Sequence, residues 1–307
     1  MQSKNVPISL LCKAHVCEKI DKVIIDVIMK YEVKLDIRNK LEKRCPRLRS
    51  FLRSSKSVVE CALTAFLKLV SRDGSGKTTS LWEEFDILLE QEGLSKSLSL
   101  YKERRWAALG YQCGTVFDCV PLFSRLLNET PKSNLLIESC LLYLENEFIL
   151  TVFKMLSWFT YKVTMPYINC VNMSTQSELL EILPILVSDL YEGKLDTLDK
   201  FSVKWTHVNV IYHEPDTELE NYMIKDFIVA VADGIKLQCS REYWDEEEIC
   251  EPRATQLHKL PRTSISNIAK DNTKAERTLA RFGYLASISA RTSNKKFTAK
   301  RIQDDIR

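Results

Sequence analysis

Glycine and proline are scarce, with 8 and 9 in 307 residues, and the glycine content is little more than about a third of that of an average chain. So few obligate turn formers exclude a fold of many short strands joined by tight turns, and long helices are the expectation. Histidine is scarcer still at four residues, and no C-x-x-C pair occurs among the 10 cysteines, so the spacings of structural zinc sites are missing. The nearest cluster is CKAHVC, with Cys12, His15 and Cys17. In a helix Cys12 and His15 share a face while Cys17 lies well round from both, an awkward set for one ion. No metal or other cofactor is expected. A secretory signal is also not expected: MQSKNVPISLLCKAHV has too short an apolar run between Lys4 and Lys13 and no small-residue cleavage site. The cysteines are therefore expected as reduced thiols inside the cell. The most apolar run, 148–171, is interrupted by Lys154 and Lys162 and broken at Pro166, which makes it a buried helix and not a membrane span.

What is present is enough apolar material for a sizeable core, 45% of residues, and an uneven distribution of charge. The net charge of +3 conceals a segment, 252–307, with 13 Lys or Arg against 4 Asp or Glu. Residues 1–251 then hold 31 against 37, so a balance of +9 faces one of −6. The basic segment is a candidate contact for a polyanion and is expected to be partly disordered.

Apolar periodicity predicts a helix over 12–31, on Val16, Ile20, Val23, Val27 and Ile28, another over 36–52, and a third over 57–70, on Val59, Leu63, Phe66, Leu67 and Val70. SLWEEFDILLEQEG reads as a helix capped by Ser80 with Glu83. A single stripe runs through Trp106, Leu109, Cys113, Val116, Val120, Phe123 and Leu127. Further helices are expected over 135–144, 148–163 and 178–192, with Pro166 and Pro184 as kinks or boundaries, and over 217–239, where Leu219, Met223, Phe227, Val231 and Ile235 form one face. The period changes at SVKWTHVNVIY, 202–212, a strand candidate that contains His207 and is followed by His213; ISLL near Ile8 is a weaker one.

One motif imitates a nucleotide site. SRDGSGKTTS, 71–80, contains Gly76-Lys77-Thr78, but a phosphate loop needs a glycine where Ser71 stands and a buried strand before it. CALTAFLKLV has helical period instead, and FIVAVADG, which imitates the magnesium-binding strand with Asp233, falls inside the helix over 217–239. The motif reads as a polar linker between helices, and no nucleotide is expected as a partner.

Three separated pieces share the order and wide spacing of a known family. CKAHVCEKID, ERRWAALGY and KAERTLARFGYL resemble the C-x-x-H, Arg-Trp and late S-E-R-x-F segments of hAT-type DNA transposases. The resemblance implies a mainly α protein, a large helical domain with a small remnant of a ribonuclease-H-like α/β sheet. It divides the chain into 1–35 (start of the residual ribonuclease-H-like part), 36–200 (helical insertion), 201–251 (return to the sheet) and 252–307 (basic segment). Glu276 takes the place of the family's third catalytic carboxylate. The two catalytic Asp of the family lie upstream of C-x-x-H, where this chain has eleven residues and no Asp. A two-metal phosphodiester mechanism needs those carboxylates, so Glu276 is expected to be inactive and the chain not to be an enzyme. The motifs also depart in detail, with Ala107 and Ala108 after Arg-Trp and Lys274 where small residues are common.

Carried over, His15, Arg105 and Trp106 become candidate DNA contacts, with Trp106 also fitting a core stripe. Phosphate contact would fall to Lys274, Arg277, Arg281, Arg291, Lys295, Lys296, Lys300 and Arg301. The expected partner is DNA in a nuclear setting, and the alternative is a protein partner or second copy bound by a helical module with no nucleic-acid role.

Overall fold

The computed structural model describes residues 13–54, 57–70, 81–94, 108–130, 134–174, 176–202 and 212–240. Every regular element among them is a helix, and none is long and apolar enough to cross a membrane. In chain order they are α1 (Lys13–Lys34), α2 (Ile37–Arg44), α3 (Arg49–Ser54), α4 (Val58–Leu69), α5 (Trp82–Gln91), α6 (Ala108–Asp118), α7 (Val120–Glu129), α8 (Leu135–Leu144), α9 (Glu147–Phe159), α10 (Met165–Met173), α11 (Gln176–Tyr191), α12 (Asp196–Asp199) and α13 (Glu218–Ser240).

One apolar cluster runs from Ile20 to Ile235 and takes side chains from all of these helices. Its centre is aromatic: the Phe66 ring lies 5.0 Å from Phe123, 6.3 Å from Phe153 and 6.5 Å from Tyr143, and Phe85 stacks on Phe123 at 4.8 Å. Tilted and edge-on rings at these separations add to the burial of their area. Along α1 the inward residues are Ile20, Ile24, Val27 and Ile28, a helical stripe in the same core as Met223, Phe227 and Val231 of α13, the helix on which α1 packs. The Tyr31 hydroxyl donates to Asp226 at 2.7 Å across the same seam.

α4 is capped twice. Ser57 accepts from the Val59 N–H at 3.1 Å, and Glu32 of α1, 4% exposed, accepts from the same N–H at 3.2 Å and from the Ser57 hydroxyl at 2.6 Å. A carboxylate at a helix N-terminus also meets the positive end of the dipole. Glu32→Ala is expected to cost about 2 kcal/mol, because the buried donors lose an acceptor, and Ser57→Ala about 1 kcal/mol. Equal melting temperatures for Glu32→Ala and the unaltered chain would show that the cap is not supported from α1.

Proline explains where the structure departs from periodicity. The stretch 36–52 is not one helix: Pro46 opens a 3-10 turn, Pro46–Leu48, between α2 and α3. The single stripe from Trp106 to Leu127 is likewise divided at Cys119, with Pro121 in the first turn of α7 and Val120 only half-buried. Helix α9 continues past Phe159 through a π turn, Thr160–Thr164, into α10. Pro166 has no N–H to offer the turn before it, and the wider π winding carries the chain past the ring without ending the helix. Pro184 sits inside α11.

Two further expectations need correction. The N-cap of α5 is Leu81, with no side-chain cap, one position after the expected Ser80, which lies outside the described residues. Leu219 is exposed, so the buried face of α13 begins at Glu220 and Met223. The helices over 57–70 and 217–239 are present, so no strand precedes 71–80, and Asp233 is a helical residue accepting from the Tyr191 hydroxyl at 2.5 Å. The motif 71–80, ISLL and residues 203–211 of the strand candidate lie outside the described residues.

Candidate functional site

Among the described residues, an extended group of polar side chains in contact lies where α9 and its π turn meet residues 212–220. Lys154, Trp158 and Lys162 recur every four residues and form a polar stripe on an otherwise apolar helix. Lysine is almost never buried unless paired, and Lys154, 8% exposed, is paired. Its ammonium donates to both Glu220 oxygens at 3.0 Å and to Asp216 at 2.8 Å. Trp158 Nε1 donates to Glu214 at 2.6 Å, and Lys162 lies 3.4 Å from the same carboxylate and 5.0 Å from the Tyr212 ring. Tyr161 stacks on Tyr212 at 5.7 Å.

The opposite wall is local in origin. T-E-L-E, Thr217 to Glu220, is a capping box: Thr217 Oγ1 accepts from the Glu220 N–H, and Glu220 accepts from the N–H groups of Thr217 and Asp216 at 3.2 and 2.8 Å. Glu220 thus starts α13 and binds Lys154 with one carboxylate. On the near side His213 Nε2 lies 3.2 Å from Asp118 of α6, with its ring edge-on to Phe117 at 5.2 Å.

Burial alone would pull the Lys154 ammonium down, but its hydrogen bonds to Asp216 and Glu220 outweigh that and hold it above the ordinary lysine value. Asp216 is held below the usual aspartate value, first by its hydrogen bond with Lys154. Both groups are charged at neutral pH. Lysine and indole donors occupy the carboxylates of Glu214, Asp216 and Glu220, and no three His, Cys, Asp or Glu side chains among the described residues converge on a point where an ion could sit. The arrangement holds 212–217 against α9; it presents no activated nucleophile.

A close helix crossing supports this wall. Gly110 of α6 faces the start of the π turn, and a Cβ there would fall inside the contact radii of the Leu156 carbonyl oxygen and Thr160 Oγ1 and 2.8 Å from Thr160 Cβ. Glycine is required for the backbones to approach.

Of the residues expected to contact DNA, His15 lies in the first turn of α1. Arg105, Trp106, Lys274, Glu276, Arg277, Arg281, Arg291, Lys295, Lys296, Lys300 and Arg301 lie outside the described residues, as do Cys12 and His207. The chain matches no family model, no curated protein and no solved structure. The polar seam was not foreseen. Its signals in the sequence were Lys154 and Lys162, charges within an apolar run, and the Glu220 partner of Lys154 stands 66 residues away.

Proposed function

We propose that the chain is a catalytically incomplete relative of hAT-type transposases that retains sequence-independent DNA binding through the basic segment 252–307. The observation that carries the reading is the segregation of charge, +9 on 56 residues against −6 on the other 251. Such a segment neutralises phosphates and releases counterions whatever the base sequence. The described helices between 37 and 199 suit a helical insertion, and the small ribonuclease-H-like sheet belongs to the proposal as its remnant in 1–35 and 201–251.

With about six phosphate contacts from the segment, affinity for random duplex DNA is expected to fall roughly a thousandfold between 50 and 200 mM salt. Replacing Arg277, Arg281, Lys295, Lys296, Lys300 and Arg301 by glutamine should make the log–log salt slope shallower by about 5. An unchanged slope in that variant would reject the assignment. The second reading, a helical module that binds protein and no nucleic acid, draws on the exposed apolar side chains Val33, Ile185 and Tyr222. It predicts association that salt does not weaken.

A further inference from the structure

A second concentration of positive charge lies on the folded helices themselves. From Ile37 to Ser54 there are seven Lys or Arg and one carboxylate, Glu42, whereas the rest of 1–251 holds 24 Lys or Arg against 36 Asp or Glu. The fold turns that excess outward. Ile37, Leu41, Cys45, Leu48 and Leu52 repeat every three or four residues and are all buried, so α2, the 3-10 turn and α3 sit on the core by one continuous stripe. Lys40, Lys43, Arg44, Arg47, Arg49 and Arg53 are left on the exposed side.

Local carboxylates do not neutralise this face. Glu42, its side chain 13% exposed, is shared by Arg49 at 3.6 Å and Arg53 at 3.4 Å, one charge between two. Arg47 meets Glu138 at 3.2 Å and Arg44 meets Glu145, both in exposed pairs. Lys40 and Lys43 are exposed and make no ion pair among the described residues. These carboxylates orient the guanidinium groups and leave an excess of about four charges.

We infer that the outer face of α2 and α3 is a phosphate-binding surface for a nucleic-acid duplex, separate from the basic segment 252–307. Arginine predominates on it, the residue whose planar fork suits phosphate oxygens. Phe51, its one aromatic residue, packs against the core, which leaves no ring on which an unpaired base could stack. No large apolar side chain between Ile37 and Ser54 is exposed, so the face lacks the apolar anchor that an interfacial membrane helix inserts. The contact expected is with the backbone of a duplex.

The test measures binding of the full chain to a random DNA duplex across a salt series. A variant with Lys40→Gln, Lys43→Gln, Arg47→Gln and Arg53→Gln is expected to bind at least tenfold more weakly, with a slope shallower by about 3. Lys40→Gln with Lys43→Gln alone, which removes no ion pair among the described residues, should lose about half of that change and so separates binding from folding. Wild-type binding and slope in both variants would overturn the inference. Loss in these variants but not in the six-residue variant of 252–307 would uphold it and reject the basic segment instead; the reverse would leave the segment and overturn this face. Loss of binding to anionic vesicles with unchanged duplex binding would also overturn it, in favour of a lipid surface.

Discussion

Gly110→Ala is expected to destabilise the protein by about 3 kcal/mol, a fall in Tm of roughly 6–12 °C for a chain of this size. The sign is informative, because in an ordinary helix interior alanine is better than glycine by about 1 kcal/mol. Here the added methyl meets the Leu156 backbone carbonyl as well as Thr160, and only the side chain can turn aside. The two helices would have to separate along a face that buries Leu109, Cys113, Val152 and Leu156. Pairing the change with Thr160→Ala should restore only part of the loss, since the carbonyl oxygen remains in place. Thermal unfolding followed by circular dichroism decides the matter, and an unchanged or higher Tm for Gly110→Ala would mean that the crossing is looser than described.

Lys154→Met is expected to be as damaging, at about 3 kcal/mol, because it strands the buried Glu220 carboxylate without its ammonium. Lys154→Met with Glu220→Gln should recover more than half of the loss: no uncompensated charge remains, and glutamine can still accept in the capping box. Urea unfolding of the two single variants and the pair gives the coupling directly, and simple additivity would show that the two residues do not act together. The pH dependence follows from the same contacts. A lysine held above its ordinary value contributes stability that is fully present below that value and is lost as pH rises through the higher, folded one. An aspartate held below its ordinary value contributes above that value and loses the contribution as pH falls through the lower, folded one. The difference between the unaltered chain and Lys154→Met should therefore be flat from about pH 5 to about pH 10 and shrink outside that window.

Much of the helical content was legible because burial writes a period into the sequence. Met223, Phe227, Val231 and Ile235 mark the inner face of α13 without knowledge of what covers it, and Ser57 marks the start of α4. Breaks were less legible. Apolar spacing continues across Cys45 and Cys119 because both are buried links between helices that share one core, and only Pro46 and Pro121 betray the interruptions. The polar seam was legible from one side only. A lysine at 154 announces that some carboxylate must come to it, but whether from Glu214, Asp216 or Glu220 depends on how α13 lies across α9, which no local pattern states. The basic face of α2 and α3 was hidden by averaging, since the acidic remainder of 1–251 cancels it in any count over the whole stretch.

The pairing of α1 with α13 has a consequence for how the protein is made. Tyr31 and Asp226, which meet across that seam, are 195 residues apart. At about 5–20 residues per second, α1 leaves the ribosome about 10–40 s before its partner exists. Throughout that interval Ile20, Ile24, Val27 and Ile28 have no α13 to cover them, and a nascent chain in this condition is a natural client for a chaperone that holds apolar helices.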